Sequence, residues 1–327
     1  MGYSNEVVRK ARAELASRKA DHESRTLARL HDAYAKVPRI REIDILLRKS
    51  MALAMQTVFQ TGSDAKAAME EVKQANLALQ AEKKALIEAN FGPGYLDETP
   101  ICPKCGGSGY IGSYMCQCLR ELCRQQQEKE LALLADPGQH FGAFRLEYYS
   151  DRPDPKTGIS PRAIMARGFD VCRDYAENFS LASGNLLFNG GTGLGKTFLS
   201  ACIAKEVASK GYSVAYETAS HLFSKMEKHR FHPDEVTARE MKRLNDCDLL
   251  IIDDLGTELP GQFVTAALYT LVNDRLLAGK PMVISTNLNI KEIRERYSPQ
   301  IGSRLYGSFA QIAFVGQDIR VLKNGVF

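Results

Sequence analysis

The sequence predicts an α/β protein: a parallel five-stranded sheet covered by helices, preceded by a helical N-terminal region and a small cysteine-rich segment. Three observations predict it. Five short apolar runs, Asn185 to Asn189, Ser213 to Glu217, Leu249 to Asp253, Met282 to Thr286 and Gln311 to Val315, alternate with helical stretches. Strands of that length separated by helices form parallel sheets buried on both faces. The first run leads into a glycine-rich loop that opens a helix, and the third ends in two adjacent carboxylates. In open α/β sheets that strand edge is where ligands sit.

The N-terminal elements follow from composition and breakers. Residues 1 to 60 are rich in Ala, Leu, Arg and Glu and read as helix, split at Pro38. Ser63 or Asp64 is positioned to cap a third helix that runs to about Asn90. Within it Val72, Leu79 and Leu86 recur every seven residues, the spacing of a hairpin or coiled seam. Phe91-Gly92-Pro93-Gly94 stops the helix. After the cysteines a short helix is expected to about Leu134, then a Pro/Gly/Asp-rich connection from Asp136 to Pro161. The expected division is therefore 1–94 helical region, 95–123 cysteine segment, 124–160 linker and 161–327 nucleotide-binding domain.

Composition narrows the function classes. The 327 residues are 44% hydrophobic and 25% charged, the balance of a water-soluble globular chain. No apolar run approaches the roughly 18 residues that cross a bilayer, and the N-terminus lacks a signal-peptide core. A cytoplasmic protein with no membrane partner is expected. The net charge of +4 is unevenly placed: residues 1 to 50 hold twelve Lys/Arg against seven Asp/Glu. A basic arm of this kind meets nucleic acid or an acidic protein face, although a solvated helical surface explains it equally well.

The loop Gly190-Gly191-Thr192-Gly193-Leu194-Gly195-Lys196-Thr197 fits the pattern G-x-x-x-x-G-K-[ST], between the strand Leu186-Leu187-Phe188 and a helix from Phe198 to Ser209. Glycines let backbone N–H groups close around phosphate oxygens, and the helix N-terminus adds partial positive charge. Lys196 is expected to reach the β- and γ-phosphates of ATP, and Thr197 to ligate Mg²⁺. Asp253 is the expected metal-side carboxylate, acting through water, and Asp254 the group that polarises the attacking water. Asn287, at the end of the fourth strand, is placed to orient that water or sense the γ-phosphate. Arg304, in Gly302-Ser303-Arg304-Leu305-Tyr306-Gly307, is a candidate for stabilising transition-state charge from a neighbouring subunit; Arg320, in Gln317-Asp318-Ile319-Arg320, is a second. No N-K-x-D guanine-reading tetrapeptide is present, which argues against a GTPase.

Four of the eight cysteines lie between Cys102 and Cys118. Cys102-Pro103-Lys104-Cys105 and Cys116-Gln117-Cys118 form two close thiol pairs joined by a glycine-rich turn, a donor set suited to tetrahedral structural Zn²⁺. The C-x-C spacing is tight, so Cys123 is an alternative to Cys118 as fourth ligand. Four thiolates leave no open position for catalysis, and metal binding would drive the folding of a segment so poor in apolar residues. Cys172, Cys202 and Cys247 read as buried thiols.

Tyr148-Tyr149-Ser150-Asp151, the run from Gly191 to Ser200, LLIIDDLGTE from Leu249 to Glu258, Ser285-Thr286-Asn287-Leu288 and Asp318-Ile319-Arg320 together resemble the bacterial replicative helicase loaders of the DnaC/DnaI type, which are AAA+ ATPases. The likeness covers residues from about 140 onward, with the cysteine segment extending it upstream. It implies a lidless AAA+ core, consistent with only twelve residues after Val315. It implies that Asn287 is the sensor-1 residue, Arg304 an arginine finger acting in trans and Arg320 the sensor-2 arginine. It further implies ATP-controlled homo-oligomers that load a replicative helicase onto single-stranded DNA, with residues 1 to about 130 docking on the helicase. Tyr216, His221, Phe223, Lys225 and Lys228 are a candidate DNA-facing set, since single strands are held by positive charge and stacking aromatics. The alternative is a transposition helper ATPase of the IstB type, whose ATPase module is similar; the cysteine segment favours a loader.

Overall fold

A computed structural model describes residues 3–60, 65–97, 99–134, 138–155 and 157–323. The caps expected at Ser63 or Asp64 lie outside these residues. The chain divides into two compact units, Ala13–Cys116 and Met1–Arg12 with Gln117–Phe327.

Helix α1 (Asn5–Lys36) ends two residues before Pro38, the first residue of α2 (Pro38–Gln60), where a proline costs no helical hydrogen bond. α2 and α3 (Ala65–Phe91) run antiparallel in the first unit. Arg39 pairs with Glu82 at 2.8 Å, and the Ser50 hydroxyl donates to Asn76 Oδ1 at 2.6 Å. The heptad positions Val72, Leu79 and Leu86 are half-buried, so the seam seals a helical hairpin. Gly92 and Gly94, at φ 87° and 77°, turn the chain out of α3. A two-residue hairpin follows, β1 (Tyr110–Ile111) and β2 (Tyr114–Met115), antiparallel with Tyr110 opposite Met115.

The second unit opens, in the main chain direction, with α4 (Gln117–Leu134). Two 3₁₀ turns, Phe141–Ala143 and Leu146–Tyr148, lead to α5 (Pro161–Glu177). The sheet comprises β3 (Asn185–Gly190), β4 (Val214–Thr218), β5 (Leu249–Leu255), β6 (Met282–Thr286) and β7 (Phe309–Phe314), in the order β4-β5-β6-β3-β7 and parallel throughout. The five strands are the five apolar runs of the sequence. Their connections are α6 (Lys196–Ser209), α7 (Ala219–Phe231), α8 (Glu235–Asp246), α9 (Gln262–Leu277), α10 (Ile290–Arg296) and α11 (Pro299–Gly307). After β7 the described chain forms only the short α12 (Ile319–Lys323).

Alternation along the strands separates two cores. Leu186, Phe188, Val214, Leu249, Ile251 and Val283 face Met165, Cys172, Ile203 and Val207 of α5 and α6. Leu187, Ala215, Leu250, Ile252 and Ile284 face Leu222, Leu268, Val272 and Leu305 of α7, α9 and α11. This is the period of two that a pleated strand imposes, with both faces buried. Cys172, Cys202 and Cys247 are all buried, as their apolar surroundings suggested.

Two strands differ from the sequence boundaries by two residues at one end, for identifiable reasons. β7 begins at Phe309, because Phe309 pairs with Asn185 and Asn185 Nδ2 donates to the Ser308 carbonyl. β5 continues past Asp253 to Leu255 through a bulge. Ile252 pairs with Ile284 and Leu255 with Thr286, so Asp253 and Asp254 together face the single residue Ser285.

Candidate nucleotide site

β3 ends at Gly190 (φ 156°), and a Cβ there would strike the Phe314 carbonyl of β7 at 2.1 Å. Gly193 and Gly195 take φ 69° and 91°, and Gly195 is the N-cap of α6. Glycines in these conformations let the loop turn its backbone N–H groups toward a ligand at the helix N-terminus. Lys196 is buried, and its ammonium donates to the carbonyls of Gly190 and Gly191 at 2.7 and 2.6 Å. Burial pushes its pKa down, and the charges of Asp254 and Asp253 oppose that shift. Thr197 stands half-buried in the first turn of α6.

The acidic pair meets the loop at the C-terminal edge of the sheet. Asp253 is buried, with Oδ1 accepting from the Ser285 hydroxyl at 2.5 Å and Oδ2 from the Tyr216 hydroxyl at 2.9 Å. Asp254 is the one non-glycine among the described residues with a positive φ, 55°. Its pKa is raised, first by burial and then by the charge of Asp253; Lys196 and Arg320 pull it back down. These opposed charges therefore share one electrostatic environment.

A cavity of about 250 Å³ lies between them, lined by Thr192 to Phe198, Asp254, Ile319 and Arg320 on one side. Gln139, Ala143, Phe144, Arg145, Tyr148 and Tyr149 line the other. Residues 124–160, expected as linker, supply that second side. Its signal was the density of aromatic residues in a polar stretch. Tyr149 is buried and its hydroxyl donates to the Leu194 carbonyl at 2.9 Å, while Phe144 lies 5.8 Å from the Tyr149 ring and 5.8 Å from Phe198. Ser285 and Tyr216 were likewise not read as partners of the acidic pair, because strand pairing sets that contact.

The remaining expected residues fall in different places. Arg320 reaches the cavity from α12, which docks directly on the phosphate loop. The Ile319 N–H donates to the Gly193 carbonyl at 3.0 Å. Asn287 is exposed just past β6, outside the cavity lining. Arg304 is also outside it: its guanidinium lies 4.5 Å over the Tyr269 ring and donates to Asn273 Oδ1 at 2.7 Å.

Among the proposed DNA-facing residues, Phe223 is a correction. It is 4% exposed in the core under β4 and β5, so it cannot stack on a base. Tyr216 is occupied by Asp253, and Lys225 and His221 both engage the buried carboxylate of Glu217. Lys228 is exposed, and farther along α7 Arg230 lies over the rings of Phe231 and Phe263, with Phe231 61% exposed.

The ligand atoms of Cys102, Cys105, Cys116 and Cys118 lie within 4.8 Å of one another, and the Cys102 and Cys116 sulfurs are 3.8 Å apart. A tetrahedron of Zn–S bonds of about 2.3 Å has an edge of about 3.8 Å, which the Cys102–Cys116 separation matches, so the cluster could hold that ion. Gly109 N–H donates to the Cys105 sulfur at 3.3 Å, the contact that stabilises a thiolate. The β1–β2 hairpin supplies the reversal, with Cys116 N–H donating to the Gly109 carbonyl at 2.8 Å. Cys123 lies outside this four-thiol set, and burial pushes its thiol up to about 11.

Residues 174–300 match the family described as IstB-like ATP binding protein. The chain is 26% identical over 133 residues to the replicative helicase loader DnaC of Escherichia coli (strain K12), covering 41% of this chain and 54% of that protein. It is 30% identical over 103 residues to the insertion sequence IS1162 putative ATP-binding protein of Pseudomonas fluorescens, covering 32% and 43%. The chain spans about half the length of these relatives. Among solved structures it resembles a DnaC helicase loader (TM-score 0.45, 17% identity, 55% of this chain and 98% of that one) and DnaI (TM-score 0.41, 18%, 46% and 85%).

Proposed function

We infer that this chain, an AAA+-type protein with an IstB-like ATP-binding domain over residues 174–300 and a likeness to the DnaC-type loaders, is an ATPase that loads a replicative DNA helicase onto single-stranded DNA. One observation carries the enzymatic part: the phosphate loop, Asp254 and Arg320 line one cavity at the C-terminal edge of the sheet. The glycine-rich loop binds the triphosphate through its N–H groups, and Lys196 leaves the Gly190 and Gly191 carbonyls for the β- and γ-phosphate oxygens. Thr197 and, through water, Asp253 would hold Mg²⁺, which supplies neutralisation of phosphate charge. Asp254 accepts a hydrogen bond from the attacking water. Arg320 stabilises developing charge in cis, and Arg304 does so on the nucleotide of a neighbouring copy.

The association of copies is therefore tied to the nucleotide, and hydrolysis loosens it. Residues 1 to about 130, with a structural Zn²⁺ on Cys102, Cys105, Cys116 and Cys118, hold the helicase; the four-thiol cluster is the feature that supports this division of labour. Single-stranded DNA is met by the exposed end of α7, where Lys228, Arg230 and Phe231 combine charge with a stacking surface. All of this belongs to a cytoplasmic protein, in keeping with the lack of any described helix long and apolar enough to cross a membrane.

The match to IstB-like proteins favours one second reading, a transposition helper ATPase. Purified protein separates the two. A loader forms an ATP-dependent complex with the replicative helicase of its host and hydrolyses ATP faster with single-stranded DNA. Binding to a transposase and not to the helicase refutes the loader reading.

A further inference from the structure

Asp254 occupies a conformation that few non-glycine residues adopt, and such a backbone persists only where its surroundings over-determine it. The bulge in β5 removes the Asp254 N–H from the strand ladder, because two residues there face the single residue Ser285. That N–H instead donates to Ser285 Oγ at 2.8 Å. The same hydroxyl spends its one proton on Asp253 Oδ1, at 2.5 Å. Ser285 is 0% exposed, so water has no access to replace either bond. The neighbouring Thr286 hydroxyl is committed elsewhere, donating to the Leu255 carbonyl at 2.7 Å.

From this bridge we propose that Ser285 is a positioning residue for ATP hydrolysis: its hydroxyl clamps the backbone of Asp254 to the side chain of Asp253 and so aims the Asp254 carboxylate into the cavity. The proposal rests on the reading of Asp254 as the group that polarises the attacking water. Serine is suited to the place because a hydroxyl is the smallest side chain that both donates and accepts. Tyr216 completes the arrangement from β4 by holding the other oxygen of Asp253. Asp253 is then fixed at both oxygens, and Ser285 transmits that fixity to its neighbour.

Steady-state turnover and binding of a fluorescent ATP analogue, both with Mg²⁺, test the clamp. Wild type and Lys196→Ala come first. A wild type that turns over ATP no faster than Lys196→Ala removes the ATPase reading, and this inference with it. Given turnover, Ser285→Ala is expected to lower kcat by about 10- to 100-fold, since small misplacements of a reacting geometry have effects of that size. Analogue affinity stays within about threefold, because the phosphate loop is untouched. Ser285→Thr, which keeps the hydroxyl, recovers most of kcat. In an Asp254→Asn background Ser285→Ala adds less than about a twofold further loss, the non-additivity of residues acting as one unit. Should Ser285→Ala not fold, Ser285→Cys, close in size but weak as donor and acceptor, takes its place with the same expectations. Any of three results overturns the proposal: unchanged kcat, affinity falling in step with kcat, or the full loss repeated in the Asp254→Asn background.

Discussion

At the scale of single residues, the site concentrates charge where the fold resists it. Lys196 is buried and depressed by desolvation, and Asp254 is raised by the same cause. Each is made tolerable by the other, which is the arrangement of a site kept ready for a polyanion and its metal. For Asp254 the sign of the linkage is definite. A raised carboxyl pKa favours the folded state most below the ordinary carboxylate range, and that contribution is lost as pH rises through the raised value. Asp254→Asn, which also tolerates the left-handed backbone, should therefore raise the melting temperature of the nucleotide-free protein at neutral pH. The gain should shrink as pH falls toward about 4. A variant no more stable than wild type at pH 7 would mean that this charge costs the fold nothing. Lys196→Ala should reduce ATP turnover by at least about 100-fold, measured as phosphate release, and leave the zinc content unaltered.

At the scale of elements, the contact between α12 and the phosphate loop is the arrangement least visible in the sequence. Gly193 combines φ 69° with a Cβ position 1.8 Å from Asp318 Oδ1, so even alanine must displace the carboxylate that caps the start of α12. Gly211 has a similar φ of 88° but open space around its Cβ position. Gly193→Ala is expected to weaken ATP binding about tenfold or more, by calorimetric titration. Gly211→Ala costs only the backbone strain, about 1 kcal/mol, and leaves affinity unchanged. Equal loss in both would show that conformation, and not the docking of α12, governs the loop. The strands themselves were legible because two-sided burial forces continuous apolar runs, whereas Gln139 to Tyr149 form only two single 3₁₀ turns and so left only an aromatic density to notice.

At the scale of the whole molecule, two predictions concern assembly and metal. Arg304 rests on Tyr269 and Asn273 of its own chain, away from its own cavity, so its proposed target is another copy. Arg304→Ala should lower turnover by about 1,000-fold or more if it acts as a finger. Mixing it with Lys196→Ala should recover rate, because each partner then supplies what the other lacks. A mixture no faster than the sum of its parts would rule out action in trans. Separately, Cys102→Ser should abolish stoichiometric zinc, read by atomic absorption, and expose residues 95–123 to protease. The Lys196-dependent ATPase rate should persist. Retained zinc would point to a different ligand set.

By itself the sequence determined the parallel sheet, the phosphate loop, the acidic pair and the thiol pairs. Each is a local pattern whose chemistry requires particular residue types at short, set spacings. Only the tertiary structure decided that Ser285 and Tyr216 grip Asp253, that α12 closes on Gly193, that Phe223 is core and that Cys118 completes the thiol cluster. These depend on strand register and on contacts between residues up to a hundred or more positions apart, which no local pattern encodes.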